Sequence, residues 1–285
     1  MAKHNHPKKR SGCAGIFLAL ALLFIVGGIY FHWENNAIQT TEHVYLSDML
    51  PAEFDGLRIA QLSDLHGKEF GENSSTLLQA VTNAQPDIIV ITGDLIDQYS
   101  QYAMLPPLME GLAAIAPTYY VTGNHEWAVQ HVKELKTLLR ESGVRVLSNE
   151  FELWQRGEYT RAIAGVDDPN GLADQKTPAQ LREEIDADFT ILLSHRDTVE
   201  EYCSWGYHLV FCGHGHGGIF RIPVLDRGLL STDRTFFPEY DGGLYALSED
   251  FSCCVSRGLG SNTVPFKTFR LFNRPELPVV TLRST

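Results

Sequence analysis

Short apolar runs that each end in polar residues recur along the chain from residue 57 onward. In order they are "LRIAQLSDLH", "DIIVITGDLID", "TYYVTGNHE", "DFTILLSH" and "YHLVFCGHGHGG". Such runs are typical of buried strands, the third one passing into a loop. Two segments, "SSTLLQAVTNAQP" and "VQHVKELKTLLRESG", have helical spacing and end at a proline and at Gly143. The pattern therefore predicts a layered α/β fold with one soluble domain over residues 57–285.

A longer uncharged run precedes this domain. Residues 11–33 carry no charge and cover the roughly 20 residues that a helix needs to cross a bilayer. Residues 1–10 form a basic segment, which favours a cytoplasmic N-terminus and a soluble domain outside the cytoplasm. A cleavable signal peptide shares these features and is the alternative. We therefore predict a single-pass signal anchor in the cell membrane, followed by a connector and edge strand over residues 34–56.

Charge narrows the range of partners. The first 33 residues hold four of the 23 Lys and Arg residues and none of the 35 Asp and Glu residues, so the remainder carries a formal charge of −16. An acidic surface repels a phosphate backbone, so no duplex nucleic acid is expected as a partner. Small-molecule or lipid phosphoesters remain possible partners. The five cysteines are irregularly spaced and do not form a disulfide framework.

Residue types that bind metals follow every one of the five predicted strands. In strand order these residues are Asp64 and His66, Asp94 and Asp97, Asn124 and His125, His195, and finally His214 and His216. Loops at the carboxyl ends of the strands in an α/β sheet converge on one crevice, so residues far apart in sequence meet there. The sequence therefore predicts one site built from all five loops.

The ligand types indicate two cations. Asp64 and His66 are one residue apart, so their side chains lie on the same side of an extended segment and suit one cation. Asp94 follows Gly93 and offers a carboxylate able to bridge two cations about 3.5 to 4 Å apart. Mixed carboxylate, amide and imidazole ligands favour manganese, iron or zinc over calcium. Arg221, just past the histidines, is a candidate contact for a phosphate group, the alternative being a surface ion pair.

The ordered series DLH, GDLID, GNHE, SH and GHGH resembles the signature of the calcineurin-like metallophosphoesterase superfamily, D-x-H, G-D-x-x-D, G-N-H-[DE], H and G-H-x-H. The downstream stretches "FFPEYDGGLY", "VSRGLG" and "FNRPELPVVTL" are similar to its membrane-anchored bacterial branch. The resemblance implies a sandwich of two β-sheets flanked by helices, here preceded by a transmembrane helix. It also implies a hydrolase acting on phosphate esters.

The same resemblance implies a role for each site residue. It assigns Asp64, His66 and His216 to one metal, Asp94 to both metals, and Asn124, His195 and His214 to the other. His125 is left off the metals and faces the substrate, where an imidazole can protonate a leaving alkoxide. Asp97 is expected to orient His125. Glu126 is expected to be solvated or to support the ligands from behind.

The implied reaction is hydrolysis of a phosphate ester or pyrophosphate bond by attack of a metal-bound hydroxide, with His125 as general acid. One alternative within this chemistry is cleavage of UDP-2,3-diacylglucosamine in lipid A synthesis, which needs a site facing the cytoplasm. An alternative of another class is a catalytically silent module that binds metals and a partner. The sequence does not separate monoesters, diesters and pyrophosphates, and we expect a monomer.

Overall fold

The structure, a computed structural model, describes residues 11–50, 52–156, 159–171, 176–261 and 270–285. The basic segment at residues 1–10 therefore lies outside the described residues. The first element is the helix α1 (Ser11–Asn36), whose apolar side chains are exposed from Ile16 to Tyr30. It is long and apolar enough to cross a membrane, and it continues three residues past the predicted end at residue 33.

Fourteen strands lie in the described part of the chain. In chain order they are β1 (Gln39–Ser47), β2 (Arg58–Leu62), β3 (Ile88–Thr92), β4 (Thr118–Val121), β5 (Arg145–Val146), β6 (Glu150–Arg156), β7 (Tyr159–Gly165), β8 (Phe189–Leu193), β9 (Leu209–Cys212), β10 (Arg221–Ile222), β11 (Arg227–Gly228), β12 (Gly243–Ala246), β13 (Ser252–Val255) and β14 (Glu276–Ser284).

These strands form two six-stranded sheets and one small hairpin. The first sheet has the order β1-β14-β2-β3-β4-β5, and the second has the order β12-β13-β9-β8-β7-β6. Strands β2 to β5 are parallel, as are β7, β8, β9 and β13. Strand β1 lies at the edge of the first sheet and pairs in parallel with β14. Strands β10 and β11 pair with each other.

Six further α-helices follow α1 within the described ranges. They are α2 (Ser75–Ala84), α3 (Leu105–Ile115), α4 (Asn124–Val129), α5 (Val132–Glu141), α6 (Pro178–Glu183) and α7 (Val199–Cys203). Short 3-10 helices occur at Ala52–Phe54, Glu72–Ser74, Tyr99–Met104, Pro169–Gly171 and His216–Gly218. Helices α2, α3 and α5 share a buried core with the first sheet, and α6 and α7 share one with the second.

A third core lies between the two sheets. It joins Ile59 and Val90 of the first sheet to Phe189 and Phe211 of the second. Strands such as β3 and β8 are buried along their whole length, because one face of each sheet meets the other sheet and the other face meets helices. The predicted layered sandwich is therefore confirmed, and the carboxyl ends of β2, β3, β4, β8 and β9 open at one edge.

One predicted helix is wrong in its extent. The stretch from Val129 to Gly143 was predicted as one helix, whereas α4 ends at Val129 and α5 begins at Val132. Gln130 adopts a left-handed backbone with φ 66°, which ends a helix. The loop predicted after β4 is instead the start of α4 at Asn124. Because α4 begins so soon after β4, Asn124 stays close to the end of that strand.

Candidate metal centre

The loops that follow the strands hold their polar residues in an unusual backbone conformation. Five of the seven predicted metal ligands have positive φ angles, namely Asp64 (52°), His66 (50°), Asp94 (53°), His214 (69°) and His216 (50°). Residues other than glycine rarely adopt this left-handed region, and such strain concentrates at functional sites. The chain therefore turns sharply after β2, β3 and β9 and directs these side chains to one place.

The first group of ligands comes from both sheets. Asp64 and His66 follow β2, and His216 follows β9. The Nε2 atoms of His66 and His216 are 3.1 Å apart, and Asp64 Oδ1 lies 4.0 Å and 3.5 Å from them. All three side chains are buried. One atom from each therefore surrounds a single point.

The second group has the same mixed origin. His195 Nε2 lies 3.1 Å from Asn124 Oδ1 and 3.2 Å from His214 Nδ1. Asp94 Oδ2 lies 3.3 Å from the same Nε2 atom. Asp94 Oδ2 is also 3.8 Å from His66 Nε2 in the first group. The Asp94 carboxylate thus lies between the two groups, where a bridging ligand would be needed.

The donor set fits cations. His66 Nδ1 lies 2.7 Å from Asp97 Oδ1, and His195 Nδ1 lies 2.8 Å from the carbonyl oxygen of Thr92. Each Nδ1 therefore holds its proton toward an acceptor, which leaves the Nε2 atom of each ring as the nitrogen that faces the ligand groups. When Nε2 is unprotonated, its lone pair and the neighbouring carboxylate and amide oxygens are all acceptors around one point. A divalent cation can satisfy these acceptors together.

His216 gives an independent sign of the same kind. Its Nδ1 atom is buried without a hydrogen-bond partner among the described residues, and its Nε2 atom faces the first group. Burial lowers the pKa of His216 to about 3, the largest opposing effect being the charge of Asp64. A neutral imidazole is the form that binds a metal. His216 is therefore held ready as a ligand.

His195 responds to the acidic groups in the opposite way. Burial lowers its pKa, but the charge of Asp94 and the hydrogen bond with it outweigh burial and raise the pKa to about 10. The Asp94 carboxylate thus attracts positive charge to the Nε2 atom of His195, where a proton and a metal ion would compete for the same lone pair.

Asp97 holds two imidazoles with one oxygen atom. Its Oδ1 lies 2.7 Å from His66 Nδ1 and 2.9 Å from His125 Nδ1. His125 Nε2 is thereby turned inward, 3.9 Å from Asp94 Oδ2. Burial lowers the pKa of His125, but the hydrogen bond to Asp97 and the charge of Asp94 raise the pKa by a larger amount. The pKa of His125 therefore stands above its ordinary value. Asp97 therefore fixes the tautomer of a predicted ligand as well as that of the predicted proton donor.

Glu126 ties two ligand loops together from below. It is fully buried, and its carboxylate accepts hydrogen bonds from the backbone N–H groups of Gly123, Asp94 and Leu95 at 2.7, 3.0 and 2.6 Å. Gly93 has φ 88°, and a Cβ atom there would lie 2.5 Å from the nitrogen of Gly123. The loops after β3 and β4 thus touch, which sets the position of Asp94. Of the two expectations for Glu126, support from behind the ligands is confirmed.

The interpretation of Arg221 as a phosphate contact is wrong. Its side chain is 5% exposed, and its guanidinium group bonds to the backbone oxygens of Gly217 and Asp241 and to Asp226. Gly217 and Gly218 have φ angles of 63° and 71°, and the turn there carries Arg221 into the base of the β10–β11 hairpin. Proximity in sequence to the histidines was misleading.

A different arginine lies beside the ligands. Arg196 donates from Nε and Nη2 to the Asp168 carboxylate at 2.6 and 3.3 Å, and its Nη1 atom is 3.0 Å from His214 Nε2. Asp168 is buried and accepts a hydrogen bond from the backbone N–H of Asn170 at 2.9 Å. One signal in the sequence points to Arg196, namely its position directly after His195, and no signal pairs it with Asp168.

Comparisons with known proteins cover the whole site. The calcineurin-like phosphoesterase family matches residues 57–218, which include all seven predicted ligands. The chain is 31% identical over 288 residues to the uncharacterized metallophosphoesterase YkuE of Bacillus subtilis, covering 97% of this chain and 98% of that protein. It is 27% identical to the phosphodiesterase YaeI of Escherichia coli, covering 79% and 82% of the two chains. A Danio rerio transmembrane protein with a metallophosphoesterase domain is 29% identical, covering 83% and 55%.

Proposed function

Since the chain belongs to the calcineurin-like metallophosphoesterase family and is therefore a metal-dependent phosphoric ester hydrolase, we propose that it is a membrane-anchored dimetal phosphoesterase. The observation that carries the proposal is the pair of converging ligand groups that share Asp94. A site for one cation would need neither the second group nor a carboxylate between the two.

We assign each of the two ligand groups to one ion. Asp64, His66 and His216 would hold one divalent ion, Asn124, His195 and His214 the other, and Asp94 both. Manganese, iron or zinc suits this mixture of oxygen and imidazole ligands. When bound, such ions lower the pKa of a coordinated water and polarise phosphoryl oxygens, which is the chemistry that phosphoester hydrolysis needs.

Two side chains outside the ligand set complete the proposed reaction. His125 gives the proton on its Nε2 atom to the departing alkoxide, while Asp97 keeps the other ring proton on Nδ1. The phosphorus–oxygen bond to the leaving group breaks as the oxygen of water forms a new bond to phosphorus. The products are a phosphate, or a phosphate monoester from a diester, and an alcohol.

Arg196 takes the role that Arg221 was expected to have. If Nδ1 of His214 held an ion, the neutral ring would carry its proton on Nε2, where Arg196 Nη1 also presents N–H. Two donors repel, so this contact would fail as a hydrogen bond and Arg196 Nη1 would need another acceptor. Asp233 Oδ1, 3.6 Å from His214 Nε2, can accept the histidine proton. A phosphoryl oxygen is the acceptor that we assign to Arg196.

The activity is tested on the full chain purified in detergent and loaded with Mn²⁺. We expect close to two ions per chain by elemental analysis, and hydrolysis of at least one of p-nitrophenyl phosphate, bis(p-nitrophenyl) phosphate and an alkyl pyrophosphate. A chelator should abolish that hydrolysis. A protein that holds two ions and cleaves none of the three would favour the silent binding module, and a fully active protein with one ion would contradict the dimetal proposal.

The anchor places this chemistry outside the cytoplasm in our proposal. Its support is the exposed apolar helix α1 and the basic residues that precede it in the sequence. Protease added to intact protoplasts should therefore digest the soluble domain. Protection of the domain until lysis would reverse the orientation, and it would bring back the cytoplasm-facing lipid A reaction as a candidate.

A further inference from the structure

A cavity of about 550 Å³ lies between the end of α1 and the metal centre. The anchor supplies one wall, through Phe31, His32, Asn35 and Asn36. His66 and Asp97 of the metal centre line the same space, together with Lys68, Gln101 and Arg270 among others. The helix proposed to cross the membrane and the metal centre therefore share one cavity.

Hydrogen bonds hold the end of the anchor against the soluble domain. The Asn35 side chain donates to the carbonyl oxygen of Arg270 at 3.0 Å and accepts from its backbone N–H at 2.9 Å. Lys68 Nζ donates to the carbonyl oxygen of Asn35. Asn35 is buried, so these contacts are made away from water, where hydrogen bonds are stronger.

The same contacts continue to the metal ligands. Lys68 is two residues beyond His66 in the chain. Arg270 donates from Nε to the carbonyl oxygen of Asn273 at 2.8 Å, and the Asn273 side chain donates to the carbonyl oxygen of His216 at 2.8 Å. Arg270 and Asn273 are both buried. The anchor is thus joined to the loops of His66 and His216, which fixes the distance of the metal centre from the membrane.

Aromatic residues mark the membrane boundary at the level of the cavity. Tyr30 and Trp33 lie on α1 with ring centroids 5.9 Å apart, and Phe272 of the soluble domain lies 6.3 Å from the Tyr30 ring. Arg274 covers the Trp33 ring at 4.8 Å. Such rings settle at the headgroup level of a bilayer. A helix rises 1.5 Å per residue, so Asn36 is only about 5 Å beyond Trp33.

The cavity combines features that suit an amphiphile. Phe31 belongs to the apolar run of the anchor, whereas Lys68 contributes an ammonium group with three N–H donors. Asp97, whose side chain is 22% exposed, lines the cavity as well and contacts the imidazole of His125, the proposed proton donor. The ring of His66 itself is almost completely buried. A lipid whose phosphate lies at the headgroup level could thus approach the metal centre from the side of Asp97 while its chains remain in the bilayer beside α1.

We propose that the metal centre acts on phosphoesters of membrane lipids, whose headgroup enters through this cavity. The proposal rests on the dimetal phosphoesterase function given above and names its substrate class. It makes the bilayer a part of substrate binding, because the cavity opens where the anchor leaves the membrane.

The test compares two phosphodiesters with the same headgroup, one with short water-soluble chains and one with long chains. The full chain is reconstituted in phosphatidylcholine nanodiscs, which expose both faces of the bilayer. We expect kcat/KM for the long-chain ester in the disc to exceed that for the soluble ester by about tenfold or more, since both reactants are confined to one surface.

A pair of matched variants then tests the cavity itself. Asn36 lines the cavity near the end of α1, and its side chain donates to the carbonyl oxygen of His32, one helical turn earlier. Asn83 is exposed near the end of α2, and its side chain accepts a hydrogen bond from Gln79, also one turn earlier. Asn36→Asp should lower kcat/KM for the long-chain ester about three- to tenfold, because the added negative charge repels an anionic headgroup. Asn83→Asp carries the same charge far from the cavity and should leave that value unchanged.

The outcomes separate this inference from the function on which it rests. Equal or better use of the soluble ester by the wild-type chain would overturn the lipid proposal while leaving the phosphoesterase intact. A strong preference for the lipid that responds equally to Asn36→Asp and Asn83→Asp would overturn the assigned route. Failure to cleave either ester with two ions bound would count against the phosphoesterase proposal, and the lipid proposal would fall with it.

Discussion

The two sides of the metal centre hold different kinds of positive charge. On one side, which we call the leaving-group side, Asp97 binds the imidazole of His125. On the other, the phosphoryl side, Asp168 binds the guanidinium of Arg196. An imidazole gains and loses a proton near neutral pH, whereas a guanidinium keeps its charge. The difference suggests proton transfer on the first side and fixed charge compensation on the second.

The two carboxylates also differ in the kind of partners that they bind. Asp97 contacts both His125 and the proposed ligand His66 through one oxygen atom. Asp168 contacts Arg196 with both oxygens in a fork, while its backbone N–H donates to Thr122. A disturbance at Asp97 should therefore reach the metals, and one at Asp168 should stay local.

The largest effect is expected where the two sides meet. Asp94→Asn removes the charge that the two ligand groups share, so it should lower activity on the order of 10³-fold or more and reduce the bound metal well below two ions per chain. Activity and elemental analysis on the same sample measure this, with the exposed Asp55→Asn as control. Retention of both ions at full activity would remove Asp94 from the bridging position.

The next effect separates the leaving-group side from the rest. His125→Ala should keep both metals and lower kcat on an alkyl phosphoester by about 10²- to 10⁴-fold, the usual contribution of a general acid. The loss on an aryl ester should be small, because a p-nitrophenolate departs without a proton. His131→Ala, at an exposed histidine nearby, is the control. Equal losses on both esters would show that His125 binds the phosphoryl group instead.

A substitution on the phosphoryl side should cause a smaller loss of activity, and that loss should not depend on the leaving group. Arg196→Gln removes a charged donor to a phosphoryl oxygen, which costs about 10- to 100-fold in kcat/KM. The loss should be the same for alkyl and aryl leaving groups, since the contact is with an oxygen that stays on phosphorus. Arg182→Gln, on helix α6, is the control. A loss that followed the leaving group would place Arg196 on the other side of the site.

These differences also explain what could be predicted from the sequence. The positions of Asp64, Asp94 and His195 follow from one rule, since each comes directly after a buried strand and parallel strands end at one edge. The same rule explains why His66 and His216 lie close together, since His66 follows a strand of the first sheet and His216 follows a strand of the second, and both strands end at the same edge. The sandwich could be predicted because the apolar runs that dictate it are continuous in the sequence.

Contacts made by side chains between distant loops could not be predicted in this way. Asp168 comes 28 residues before Arg196, and the second aspartate of "AGVDDP" has no local feature that marks its partner. Arg221 failed for the converse reason, because two glycines reverse the chain between it and the histidines. The cavity beside α1 depends on Asn35 meeting Arg270, a pairing across 235 residues.

The smallest expected effect tests the shared role of Asp97. Asp97→Asn keeps an oxygen that can still accept from both imidazoles but removes the negative charge. Activity at saturating Mn²⁺ should therefore fall only about tenfold, with the larger part of the loss on alkyl esters, because the orientation of His125 is loosened. Metal affinity should fall too, because His66 becomes a weaker ligand once its Nδ1–H no longer faces a carboxylate. Part of the loss should thus be recovered as the Mn²⁺ concentration is raised.

Asp168→Asn offers the comparison on the phosphoryl side, where the loss of activity should depend on neither the leaving group nor the Mn²⁺ concentration. If the two variants responded alike to added Mn²⁺, the contact of Asp97 with His66 would have no bearing on metal binding, and the asymmetry between the two sides would reduce to His125 alone.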